Sequence, residues 1–168
     1  NSFWMLGTAT QLAEGAVQTL VKLRDNGDIG NSVALVHVAD AFGLEHVNAA
    51  KSELDEAGFE IVYEASSPLG TQDVAPIISG AAAANPDAFI AFSYPGDTFA
   101  LTEQAQIQGL DVGAFYTGVG TAFPAFAGRF GAAAEGVLGI GGINVENPKI
   151  ADYIARHEAP AGSGPDYW

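Results

Sequence analysis

Cysteine is absent from the 168 residues. That excludes disulfides, thiolate nucleophiles and cysteine-held metals in this chain, and says little about compartment. Basic residues are scarce: six Lys and Arg stand against twenty Asp and Glu, a formal charge of -14. Such a surface repels phosphate backbones, so no nucleic-acid partner is expected. The acidity names no partner by itself, because acidic surfaces also serve solubility and salt adaptation. No apolar stretch reaches the roughly 18 residues that span a bilayer. The richest one, "GVLGIGGINV", is short and broken by glycine.

Signatures of catalysis and cofactor binding are missing as well. There is no GxxxxGK[ST] phosphate loop, and the chain has only three lysines. "GVGTAF" and "GIGGIN" lack the third glycine of a dinucleotide fingerprint and do not follow the first predicted strand. "DNGDIGN" at 25–31 lacks the oxygen ligands and the closing Glu of a calcium loop and reads as a helix-ending turn. No HExxH or GxSxG is present. His37 lies inside an apolar strand, where a hydrogen-bonded core histidine is expected, while His46 and His157 are expected on helix surfaces. Asp40 follows the first strand, as the phosphoacceptor of receiver domains does, but no Lys follows strand five before Lys149. No enzymatic activity, cofactor or metal is therefore expected.

What is present is alternation. The chain is 48% hydrophobic and 15% charged, the composition of a soluble globular domain with one core. Five apolar runs predict strands: "SVALVHV" at 32–38, "FEIVYEA" at 59–65, "AFIAFS" at 88–93, "GAFYTG" at 113–118 and "GVLGIGG" at 136–142. The first and third are almost continuously apolar, as in strands covered on both faces. Helices are expected between them. Thr8 or Thr10 caps the first, which carries Leu12, Ala16, Leu20 and Leu23 on one face and ends at Asn26-Gly27. The second carries Val47, Ala50, Leu54 and Ala57 and stops at Gly58. Asp73 caps the third, ended by Asn85-Pro86, and Asp97 caps the fourth, ended by Gly109. A β-α-β-α-β-α-β-x-β order predicts a doubly wound, flavodoxin-like parallel sheet of order 2-1-3-4-5 with helices on both faces. Residues 1–143 form this lobe. Residues 144–168 form a helix, with Ile150 and Ile154 on one face, and an exit segment.

In such a sheet ligands bind beyond the carboxyl ends of the strands, where the strand order reverses. For this order the point lies between strands one and three. Val38 to Gly43 and Ser93 to Asp97 meet there, with Gly118 to Thr121 alongside. Asp40, Phe42, Ser93, Tyr94, Val119 and Gly120 are therefore the candidate ligand-binding residues. The abrupt change in "DAFIAFSYPGD" at 87–97 fits a strand entering a pocket wall, though an aromatic plug at a strand end would read the same way.

"VALVHVADAFGLEHVNAAKSELDEAGFEIV", "TQDVAPIISGAAAANPDAFIAFSYPGDTFALTEQAQIQGLDV" and "AAAEGV", in this order and spacing, resemble the second lobe of type I periplasmic binding proteins of ABC importers, the leucine/isoleucine/valine-binding group. The likeness runs from "SFWMLGTATQLAEG" to "NPKIADYIARHEA". It implies one lobe of a two-lobe receptor, extracytoplasmic (periplasmic or tethered as a lipoprotein), closing with a missing second lobe on a small molecule and delivering it to a membrane permease. In that family an aromatic follows the first strand, matching Phe42-Gly43, and another follows the third, matching Tyr94. A Glu-Gly pair after the fourth strand holds a ligand ammonium; here the pair is Val119-Gly120.

Without a carboxylate at 119 a buried ammonium would lack its counter-charge at a cost of several kcal/mol. The resemblance together with this departure implies an apolar, aromatic wall and an amino acid-like, amide or aromatic or aliphatic carboxylate ligand. It disfavours a branched-chain α-amino acid unless Asp40 or Asp97 points into the cleft and replaces the missing carboxylate; helix capping is the expected role of Asp97. The alternative is a ligand-sensing regulator of the same fold, an amide sensor or a repressor effector domain. Asn1 is not an initiator Met, and "GPDYW" ends within a plausible loop. A mature piece or excised domain is expected.

Overall fold

Thr8 opens the first helix through a capping box. Its hydroxyl accepts from Gln11 N–H, and the Gln11 side chain accepts in return from Thr8 N–H. The computed structural model describes residues 7–71, 73–140 and 147–162. Helix α1 (Ala9–Asn26) ends at Gly27 in the left-handed conformation. Strand β1 (Ser32–Val38), α2 (Ala41–Glu56), β2 (Glu60–Ser67), α3 (Ala75–Ala84), β3 (Ala88–Phe92), α4 (Pro95–Gln108) and β4 (Ala114–Gly118) follow. A 3-10 turn at Gly120–Ala122, α5 (Pro124–Phe130) and a second 3-10 turn at Gly131–Ala134 lead to β5 (Val137–Leu138). A last 3-10 turn at Pro148–Ile150 precedes α6 (Ala151–Ala161).

The sheet has the predicted order, β2-β1-β3-β4-β5, and every neighbouring pair is parallel. Successive residues of a strand face opposite layers. Val33, Leu35, Ile90, Phe92 and Tyr116 pack with α1 and α2, while Ala34, Val36, Phe89, Ala91 and Phe115 pack with α3 and α4. This double coverage is why β1 and β3 are apolar at almost every position. His37 is buried, and its Nδ1 lies 2.8 Å from the Val38 carbonyl oxygen, as a core histidine should.

Several expectations shift. The buried stripe of α1 is Ala13, Ala16, Val17 and Leu20, with Leu12 and Leu23 only half-buried. Strand β2 extends to Ser67, and β5 is two residues long. Pairing with β4 is confined to Val137 and Leu138, directly after Gly136, whose φ of +84° lies outside the strand region. The expected continuation into 141–142, and the boundary at 143–144, lie outside the described residues. Helix α4 starts at Pro95, two residues before the predicted cap, because proline is pre-organised for the first helical position. Asp97 therefore sits inside the first turn and does not cap it. The N-cap of α3 is Val74, which makes no side-chain cap bond, so Asp73 is not the cap residue expected; standing one residue earlier, it accepts from Ala75 N–H at 3.2 Å. Ile150 and Ile154 are both half-buried.

Candidate functional site

The strand register determines what meets at the carboxyl edge. His37 of β1 pairs with Phe92 of β3, and Phe92 pairs with Gly118 of β4. The three strands thus end in one row, and the loops that leave them start side by side. Ser93 N–H donates to the Gly118 carbonyl and Val119 N–H donates to the Ser93 carbonyl, each at 3.0 Å, which extends the β3–β4 seam one step further.

Asp40 joins the loop after β1 to the loop after β3. Its Oδ1 accepts from Gly43 N–H at 2.9 Å and caps α2. Its Oδ2 accepts from the Tyr94 hydroxyl at 3.1 Å. Gly43 is obligatory here, since a Cβ at that position would collide with the Val38 carbonyl oxygen. The close approach lets α2 begin immediately beyond the end of β1. The Phe42 ring then lies 4.8 Å from the Tyr94 ring, centroid to centroid, at an interplanar angle of 30°. Both rings are half-buried, each showing part of its surface at the edge. Burial raises the Tyr94 phenol above its ordinary range, and the Asp40 carboxylate adds to the shift, so the phenol stays protonated at neutral pH.

Val119 is buried and lines a cavity of roughly 10 Å³ together with Leu12, Phe42, His46, Phe92, Tyr116, Gly118 and Ile140. Phe42, Tyr94 and Val119 are thus brought to one edge, two as a touching pair and the third across a small cavity from Phe42. Gly120 is buried against the first turn of α4, where an added Cβ would stand 2.7 Å from Thr98 Cβ and 3.0 Å from Pro95 Cα. Ser93 is turned inward, 1% exposed. Its hydroxyl lies 2.8 Å from the Thr98 hydroxyl and donates to the Gly118 carbonyl at 3.0 Å. Asp97, 3% exposed, accepts from Gly70 N–H at 3.0 Å. Burial raises its carboxyl above the usual range, and the backbone N–H groups of Gly70, Asp97 and Tyr94 offset part of that shift.

One residue of this edge was missed by sequence reasoning. His46 is buried rather than on a helix surface. Its ring lies 4.1 Å from Phe42 and 5.3 Å from Phe92, and Nδ1 sits 2.8 Å from the Phe42 carbonyl oxygen. Burial lowers its pKa, with Phe42 O, Glu45 and Asp40 pulling the other way. Spacing carried the signal: His46 stands four residues before Ala50 on the stripe that also holds Val47 and Leu54. Among the described residues no group of three potential ligands could hold a metal ion, and no helix is long and apolar enough to cross a membrane.

The doubly wound parallel sheet with helices on both faces is a flavodoxin-like α/β fold, a class in which ligands bind at the carboxyl edge of the strands. The sequence places it further: the family model described as periplasmic binding protein matches residues 1–168, and the chain belongs to that family. No curated protein matches it. Similar solved structures include a leucine-, isoleucine-, valine-, threonine- and alanine-binding protein from Brucella ovis in a closed conformation, at 22% identity and a TM-score of 0.80. The match covers 98% of this chain and 42% of that one. A leucine-binding protein from Thermotoga maritima is similar at 18% identity and a TM-score of 0.80, over 97% of this chain and 46% of that one. A solute-binding protein of an ABC transporter from R. palustris, in complex with benzoate, is similar at 16% identity and a TM-score of 0.79, over 98% and 44%. At these identities the likeness is one of fold. The chain spans less than half the length of these proteins, about one lobe.

Proposed function

We propose that this chain is one lobe of an extracytoplasmic solute-binding protein that captures a small organic molecule and delivers it to the permease of an ABC importer. Asp40, Phe42, Ser93, Tyr94, Val119 and Gly120 form this lobe's share of the site. Phe42, Tyr94 and Val119 supply its wall, and Asp40 and Ser93 hold the loops that carry them. A second lobe, outside this chain, completes the cleft. The observation that carries the reading is the Phe42–Tyr94 ring pair, tied by Asp40 across the point where the strand order reverses. Family membership supports it. Each lobe alone makes half the contacts, and closure excludes water and strengthens both halves.

The wall is aromatic and apolar, with no Lys or Arg among the residues that end the strands, so it suits the body of an amide or of an aromatic or aliphatic carboxylate. The R. palustris structure with benzoate is a fold relative that takes such an acid. Isothermal titration of the complete two-lobe protein with leucine, phenylalanine and benzoate tests the ligand class. Tight leucine binding overturns it. Tyr94→Ala is expected to weaken the best ligand by about 1–3 kcal/mol through lost stacking, and unchanged affinity would make Tyr94 purely structural.

A further inference from the structure

The polar groups of this edge are nearly all committed to the protein itself. Both Asp40 oxygens accept internal hydrogen bonds, from Gly43 N–H and from Tyr94. The hydroxyls of Ser93 and Thr98 share the Gly118 carbonyl, and Asp97 is held by Gly70. His46 differs. With Nδ1 donating to the Phe42 carbonyl, the tautomer is fixed and Nε2 carries a lone pair. That Nε2 is buried and has no hydrogen-bond partner, in a residue that is 6% exposed. Leaving a buried acceptor unpaired destabilises the protein by the full cost of its lost hydration. The residue lines the cavity it shares with Phe42 and Val119, at the edge where β4 ends.

We propose that His46 Nε2 is this lobe's polar contact with the ligand, accepting a hydrogen bond from the neutral N–H of a primary amide at the end of the ligand that enters between Phe42 and Val119. The inference rests on the receptor reading and narrows its ligand class to primary amides. Three features select that chemistry. A neutral imidazole acceptor repels a carboxylate and rewards a donor. An ammonium entering the cavity would find no counter-charge, since none of the residues that line it carries a carboxylate. The cavity, at roughly 10 Å³, is near the lower limit for one water molecule, so it admits one N–H tip and not a ring. Occupation by the ligand would satisfy the acceptor while the body of the ligand lies against Phe42 and Tyr94.

The test is titration of the complete two-lobe protein with matched pairs, benzamide against benzoate and 4-methylpentanamide against 4-methylpentanoate, together with L-leucine. The amides are expected to bind best, and His46→Phe to weaken them by about tenfold while the acids lose nothing or bind more tightly, the lone pair that repels them being gone. Carboxylates binding as tightly as their amides, or an unchanged amide affinity in His46→Phe, overturns the inference and leaves the receptor reading intact. Leucine as the tightest ligand, or no binding by any of the five, overturns the ligand class and the inference together. If His46→Phe fails to fold, the imidazole 15N signals of the wild-type protein decide. Added benzamide must shift unprotonated Nε2 upfield, as accepting a hydrogen bond does, and an unmoved signal overturns the inference.

Discussion

The Tyr94 hydroxyl donates to Asp40 Oδ2 at 3.1 Å, and the other oxygen of the same carboxylate caps α2. One side chain therefore determines where a helix starts and how two loops from non-consecutive strands sit against each other. Because both jobs fall to Asp40, their energies are separable by a double-mutant cycle. Asp40→Ala is expected to cost about 1–3 kcal/mol, the sum of a lost cap and a lost hydrogen bond. Tyr94→Phe should cost about 1 kcal/mol, with a coupling of about 0.5–1.5 kcal/mol between the two. Denaturant melts of the four proteins measure this, and a coupling near zero would show the contact contributes nothing.

His46 makes a prediction about acid. Burial lowers its folded-state pKa below the usual 6.5, so the unfolded chain binds more protons in the window just below that value. Stability is then lost as pH falls through 6.5, with Glu45 and Asp40 limiting the loss. The melting temperature of His46→Phe should fall less than that of wild type between pH 7.5 and pH 5.5. Parallel curves would contradict the assignment.

Asp97 carries the opposite sign. Its folded-state pKa is raised by burial, so its ionised form penalises the folded state above the usual carboxylate range, and the penalty vanishes once both states are protonated. Asp97→Asn keeps an acceptor for Gly70 N–H and removes the buried charge. It should stabilise the protein at pH 7 and give no gain at pH 3. Urea midpoints at the two pH values test this, and destabilisation at pH 7 would mean the carboxylate's hydrogen bonds outweigh its desolvation.

Two glycine-to-alanine substitutions should differ in sign. At Gly43 an added methyl collides with the Val38 carbonyl, and backbone must move at the edge of the site, so a loss of about 3 kcal/mol is expected. At Gly15, inside α1, nothing lies within 4 Å of the new Cβ, and a gain of about 0.5–1 kcal/mol follows from helix propensity. Thermal melts of both distinguish a packing requirement from a tolerated glycine.

The sheet order was legible because β1 and β3 must be apolar on both faces if helices cover both, and because strand and helix periodicities alternate along the chain. Capping chemistry marked most helix ends, from Thr8 to Gly109. It misled at α3, where Val74 rather than Asp73 is the cap residue, and at α4, where Tyr94-Pro95 competes with Asp97 and the fixed φ of proline prevails. Sequence also located the edge where Phe42, Tyr94 and Val119 lie, since topology alone names the loops that leave β1, β3 and β4.

What those loops do to one another was decided only in three dimensions. No local pattern says that Asp40 will serve Gly43 and Tyr94 at once, residues 3 and 54 positions away. Nor does one say that the Ser93 hydroxyl turns toward Thr98 and Gly118 rather than outward. Hydrophobic periodicity is a property of each segment and survives in the linear chain. Hydrogen-bond partnership and the burial of His46 depend on the relative placement of segments, which exists only once the sheet has formed.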